Sequence, residues 1–197
     1  MRAGDVQKNF RTAVAAAVPE AAQGKPIEIW FQDEARVGQQ GTLTRIWAKR
    51  GTRPQAPRDT RYQWAYLFGA VCPSRGVAAG LVLPFVNTAA MNAHLAEIAR
   101  TVAEGAHALL ILDGAGWHGA RNLVVPDNIS LLHLPPYAPE LNPVENVWAY
   151  LRANKLAITV FDNYDAIVDA CCKAWNFFAN DPEAIASITS RTWAEVS

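Results

Sequence analysis

Apolar positions recur at helical spacing over residues 6–22, where Val6, Phe10, Val14 and Val18 share one stripe of an Ala-rich stretch. That period predicts an amphipathic helix, stopped by Gly24 and Pro26. The period then changes. Ile27, Ile29 and Phe31 alternate in a run rich in β-branched and aromatic residues, which predicts a strand over 27–33 that ends at Asp33-Glu34. Residues 62–72 and 77–85 predict two further strands joined by the turn Pro73-Ser74-Arg75-Gly76. A helix over 89–104, capped by Asn87 or Thr88, carries Met91, Leu95, Ile98 and Val102 on one face. Residues 108–112 are wholly apolar, the mark of a strand covered on both faces, and 129–134 predict another. A short helix over 119–124 and longer ones over 143–155, 163–179 and 182–189 complete the pattern. Strands dominate first and then alternate with helices. The expected class is α/β, a mixed sheet of five strands flanked by helices.

Composition agrees with a packed globule. The chain has 197 residues, 51% of them apolar, enough for one domain with a sizeable core. No apolar run is long enough for a membrane span and no secretory leader opens the chain, so a cytoplasmic location is expected. Cys72, Cys171 and Cys172 fit neither a zinc spacing nor a disulfide framework and read as reduced thiols. Charge changes the picture more. The net charge is zero, yet Arg36, Arg45, Lys49, Arg50, Arg53, Arg58 and Arg61 crowd residues 35–61 against the single acid Asp59. The remainder is correspondingly acidic. Such a basic segment suits a polyanionic partner. Within it, a strand over 42–48 and a turn at Lys49-Arg50-Gly51 are expected, followed by an extended, proline-containing arm.

Three acids share one kind of placement. Asp33 ends the first strand, and Asp113 ends the wholly apolar one, just before Gly114. Glu145 follows the proline-rich stretch Leu134-Pro135-Pro136-Tyr137-Ala138-Pro139-Glu140-Leu141-Asn142-Pro143 at a helix start, with Asn142 as N-cap and Pro143 in the first helical position. Prolines fix their own φ and restrict the preceding residue, so the stretch is a stiff arch that presents Glu145. Acids at the carboxyl ends of neighbouring strands converge where α/β folds place their sites. Three adjacent carboxylates repel one another, and a divalent cation relieves that repulsion. Two Mg²⁺ or Mn²⁺ ions in such a set suit phosphodiester chemistry, which the basic segment then supports by holding DNA or RNA.

The segments Trp30-Phe31-Gln32-Asp33-Glu34-Ala35-Arg36, Leu112-Asp113-Gly114-Ala115-Gly116-Trp117-His118 and 134–148, ending Val144-Glu145-Asn146-Val147-Trp148, resemble the catalytic blocks of bacterial insertion-sequence transposases. The family is the mariner superfamily, in its insertion sequence 630 branch. The resemblance covers residues 27–155. It implies a ribonuclease H-like fold, a metal-dependent triad of Asp33, Asp113 and Glu145, cleavage and rejoining of DNA at transposon ends, and a β-hairpin near the DNA within 36–61. It further implies a homodimer on DNA and a helix-turn-helix domain, here separately encoded if the chain is the catalytic half of a split enzyme; a fragment or a degraded copy are the alternatives. The interval between Asp113 and Glu145, residues 114–144, is a few residues shorter than the family pattern, with the shortening expected at 121–128. The chain divides into an N-terminal helical segment (1–26), a catalytic core (27–160) and C-terminal helices packed on it (161–197).

Each residue also has a structural reading. Asp33 suits a strand-end turn, Asp113 an Asx-turn and Glu145 a capping box. Glu34, by alternation, faces away from Asp33. Asn142 is a cap before it is a second-shell residue. His118 could contact a scissile phosphate or an attacking water, or be a structural histidine. Trp117 and Trp148 read as core. Two alternatives to the transposase remain: a DNA-binding or assembly protein that keeps the fold without the chemistry, and a ribonuclease H-like nuclease.

Overall fold

The computed structural model describes residues 3–39, 48–52, 61–114, 121–135, 139–156 and 160–194. Five strands form one sheet: β1 (Ile27–Gly38), β2 (Trp64–Cys72), β3 (Val77–Leu83), β4 (His107–Leu112) and β5 (Ile129–His133). Their order is β3-β2-β1-β4-β5. β1, β2 and β3 run antiparallel in sequence, whereas β1, β4 and β5 are parallel. Five helices flank the sheet: α1 (Ala3–Ala17), α2 (Thr88–Thr101), α3 (Val144–Asn154), α4 (Tyr164–Ala179) and α5 (Pro182–Thr189). The mixed, helix-flanked sheet expected from the pattern is the one observed.

Alternation along the strands sorts the core into two layers. Ile29 and Phe31 of β1 and Leu109 and Ile111 of β4 point to the side of α1, α3, α4 and α5. Trp30, Ala108, Leu110 and Leu112 point to the side of α2. All of β4 is buried because it lies inside the sheet and is covered on both faces. Full burial of a side chain such as Phe31 contributes on the order of 2–3 kcal/mol, so the two layers carry most of the fold's stability. β5, expected to be buried like β4, is an edge strand. Only Ile129 is fully buried there, since one side of the ladder has no neighbouring strand.

Several boundaries differ from expectation for identifiable reasons. α1 stops at Ala17, because Pro19 disfavours helix at the residue before it; Glu20–Ala22 then form one 3₁₀ turn. β1 runs five residues beyond Asp33, because β2 continues to pair with it as far as Gly38↔Trp64 after β4 has stopped. Residues 121–124 form a turn and extended chain rather than the end of a short helix, and 119–120 lie outside the described residues. That segment is fixed to α2 instead: Val124 N–H donates to Asn92 Oδ1 (2.8 Å), and Asn92 Nδ2 donates to Asn122 O. The strand expected over 42–48 lies outside the described residues except for Ala48, which is not in a strand.

The end of the sheet away from Asp33 is stapled by a buried ion pair. Glu28 accepts from Arg75 (3.0 Å), from Trp30 Nε1 and from the backbone N–H of Ala103. Arg75 also donates to Thr101 O, so one carboxylate joins β1, the β2–β3 turn and the exit of α2. Cys72 and Cys171 are buried, and burial pushes the Cys171 thiol up to about 12 with help from neighbouring Cys172. It is therefore a packed thiol with no nucleophilic character at neutral pH.

Candidate active site

β4 pairs with β1 only as far as Phe31↔Ile111. Two residues further along the two chains lie Asp33 and Asp113. Asp33 continues the odd-numbered positions of β1 that point to the α3 side, the face occupied by Phe31. The parallel strands therefore bring the two acids to the same end of the sheet. Glu34 takes the other face and accepts from Gln32 Nε2 (3.1 Å).

α3 brings the third acid. Asn142 is buried and makes two bonds: its Oδ1 accepts from Val144 N–H (3.2 Å), and its Nδ2 donates to the backbone carbonyl of Gln32 (2.8 Å). The first caps the helix, whose preceding residue Pro143 already has helical φ and ψ. The second ties the helix start to β1 next to Asp33, just past the point where β4 stops pairing. Glu145 lies in the first turn and is exposed, while Val144, Val147 and Trp148 of the same helix are buried in the core. Residues 136–138 of the arch lie outside the described residues; its end, Pro139–Leu141, is a 3₁₀ turn.

Asp33 is held in a largely apolar setting. Burial pushes its carboxyl up from the ordinary carboxylate range to about 7, and the negative charge of Glu145 adds to the rise. Two hydrogen bonds oppose the rise: one from Trp148 Nε1, which donates to Asp33 Oδ2 at 2.8 Å, and one from the backbone N–H of Glu34. Trp148, read from sequence as core, is core and is also the partner of Asp33. Its place three residues after Glu145, on the same side of a helix, was the available signal. Asp113 is exposed at the end of β4, and its backbone carbonyl lies 3.3 Å from His133 Nδ1, a neighbour to which sequence assigned no role.

The structure thus couples Asp33 with Glu145 electrostatically, and Asp113 follows β4 at the same end of the sheet. Among the described residues, no three His, Cys, Asp or Glu side chains are gathered closely enough to hold a cation in common. The donor chemistry nevertheless fits a hard divalent cation: the carboxyl of Asp33, partly buried, is raised by that burial and by the charge of Glu145, and a cation relieves such a pairing of acids. His118 and Trp117 lie outside the described residues.

The basic residues separate into groups. Lys49 and Arg50 are exposed on a turn with Gly51 at φ 84°, as expected. Arg36 is exposed on β1 with its guanidinium 4.9 Å from the Trp64 ring centre. Arg61 donates to the backbone carbonyls of Asp162 (2.8 Å) and Phe161. Gln39 also donates to the Phe161 carbonyl (2.9 Å), and its backbone N–H donates to Gln63 O, so the two ends of the segment close into a clasp. Arg45, Arg53 and Arg58 lie outside the described residues.

Comparison with known proteins bears on the family and the fold. The chain resembles the uncharacterized protein y4pE/y4sA of Sinorhizobium fredii, with 59% identity over 134 residues, 68% of this chain and 99% of that protein. Its fold matches the crystal structure of the catalytic domain of Mos1 mariner transposase (TM-score 0.58, 16% identity, 95% of this chain and 88% of that one). It also matches the Mos1 transposase paired-end complex with left transposon end (TM-score 0.63, 18% identity, 96% of this chain). This chain spans 59% of the length of the Mos1 transposase in that complex. The fold is thus the ribonuclease H-like fold of transposase catalytic domains. The family model for the DDE superfamily endonuclease matches residues 28–168, from the start of β1 into α4, and the chain belongs to that family.

Proposed function

We propose that this chain is the catalytic domain of a cut-and-paste transposase of the mariner superfamily, in its insertion sequence 630 branch, and that it cleaves and rejoins DNA at transposon ends. The observation that carries the reading is the electrostatic pair Asp33–Glu145 just past the last paired residues of β1 and β4, at the end of the sheet where β4 leads into Asp113. Asp33, Asp113 and Glu145 are the catalytic and metal-holding residues for two Mg²⁺ or Mn²⁺ ions. When bound, such ions activate a water or a 3′-hydroxyl and stabilise the leaving oxygen in an in-line displacement at phosphorus. Mos1 complexes described as containing Mn or Mg support the choice of metal.

The chain's own residues supply position and charge. Asn142 fixes the start of α3, and with it Glu145, against β1. Burial keeps water from most of Asp33. Lys49 and Arg50, with Arg45, Arg53 and Arg58, hold the DNA backbone, while Arg36 and Arg61 stiffen the base of the arm. The working enzyme is a homodimer on DNA in the cytoplasm, acting with a helix-turn-helix domain that reads the ends. Among the described residues no helix is long and apolar enough to cross a membrane.

One observation favours a second reading, an assembly protein with the fold and no chemistry: the three acids are not drawn together among the described residues. Titration calorimetry with Mn²⁺ separates the two. The transposase binds Mn²⁺ and joins strands of element-end DNA. No Mn²⁺ binding leaves the assembly reading standing, and cleavage without strand joining points to a nuclease.

A further inference from the structure

Trp148 is 2% exposed, and its indole lies against the sheet at a place prepared for it. Gly69 of β2 is the cross-strand partner of Asp33, and Gly80 of β3 is the partner of Gly69. A methyl group on Gly69 would lie 2.7 Å from Cη2 of both Trp148 and Trp175. On Gly80 it would lie 2.5 Å from Nε1 and Cε2 of Trp175. Two adjacent strands thus each omit a side chain at one register position, and the resulting trough seats a pair of indoles whose ring centres are 6.1 Å apart. Trp175 packs on Phe178 behind them. With its ring confined by this packing, Trp148 has its N–H aimed at Asp33 Oδ2, at 2.8 Å.

We propose, on the reading of Asp33 as a metal-holding carboxylate, that Trp148 is a positioning residue of the site. Its N–H takes up one lone pair of Oδ2 and fixes the rotamer of Asp33, which leaves the other carboxylate oxygen for the cation. The glycine pair Gly69–Gly80 and Trp175 are the device that holds the donor in place. Packing alone would be met by any large aromatic ring. The N–H is what distinguishes the two roles, and outer partners of this kind commonly tune a metal site as strongly as some ligands do.

The test needs no turnover. The protein has seven tryptophans, so the Trp148 indole N–H gives one of seven cross-peaks in a nitrogen–proton correlation spectrum, assignable through bonds in the wild type. Diamagnetic Mg²⁺ is titrated in at a pH above about 8, where the carboxylate is ionised. The Trp148 cross-peak is expected to shift with the same saturation curve as metal binding followed by calorimetry, and to move in Asp33→Asn without metal. Trp148→Phe, which keeps a ring and loses the donor, is expected to weaken Mg²⁺ and Mn²⁺ binding about tenfold. A wild type that binds Mg²⁺ while the cross-peak stays still, or a folded Trp148→Phe with unchanged affinity, overturns the positioning role and leaves the metal site intact. A wild type that binds neither cation overturns the catalytic reading and this one together.

Discussion

At the scale of the residue, Asp33 makes the site's electrostatics measurable. Its carboxyl is pushed up to about 7 by burial and by Glu145, against an ordinary value of 3.8. Between those values the metal-free folded chain holds a proton that the unfolded chain has released. The stability this contributes is therefore fully present below about pH 4 and is lost as pH rises through about 7. Denaturant titration without metal should show this decline from about pH 4 to 8, and Asp33→Asn should flatten it. Equal slopes in the two proteins would mean that Asp33 is not buried as described. Protons and cations compete for the same oxygens, so Mn²⁺ affinity should rise up to about pH 7 and then level off. The place of Asp113 was legible from the sequence because the wholly apolar run of β4 ends just before it, whereas Asp33, expected to end a strand, lies within β1. The hydrogen bond from Trp148 to Asp33 was not legible, since it joins residues 115 positions apart and depends on packing over two glycines in other strands. A Trp on the buried stripe of a helix gives the same sequence signal whether or not its N–H has a partner.

At the scale of the element, the start of α3 converts a loop into a fixed carboxylate. Asn142 does so with one acceptor and one donor, and the two can be separated. Asn142→Ala should lower stability by about 2 kcal/mol, through loss of the cap and an unpaired buried Gln32 carbonyl. Asn142→Ser restores the cap acceptor without the reach to Gln32 and should recover about 1 kcal/mol of that. Equal stability of the two variants would show that the cap contributes nothing. The trough in β2 and β3 gives a second test at this scale. Gly80→Ala drives a methyl into Trp175 and should lower stability by about 1–3 kcal/mol, read from the denaturation midpoint. Helix starts were legible where a cap or a proline falls at its usual place, as at Asn87 and Asn142-Pro143. The end of α1 and the length of β1 were harder to read. Pro19 lies inside an otherwise continuous Ala-rich pattern, and β1 beyond Asp33 is extended because β2 pairs with it, a tertiary cause that its own residues do not announce.

At the scale of the whole molecule, β1 carries the structural staple near its start and the proposed chemistry at its middle, just past the point where β4 stops pairing. Glu28 and Asp33 are five residues apart, about 17 Å along a strand. Removing the partner of Glu28 by Arg75→Ala should lower stability by about 2 kcal/mol, less than for a fully enclosed pair because Arg75 is about a third exposed. Mn²⁺ affinity should be unchanged, and a parallel loss of binding would show that the two places are coupled through the sheet. In the proposed function three carboxylates on separate elements act as one catalytic set, and Asp113 is the member tied least directly to the others. The direct measurement is Mn²⁺-dependent nicking of supercoiled DNA carrying the element's ends, by the wild type and by Asp113→Ala with its fold checked by circular dichroism. The expected result is nicking by the wild type and none by the variant with the fold intact; full nicking by Asp113→Ala would contradict the assignment.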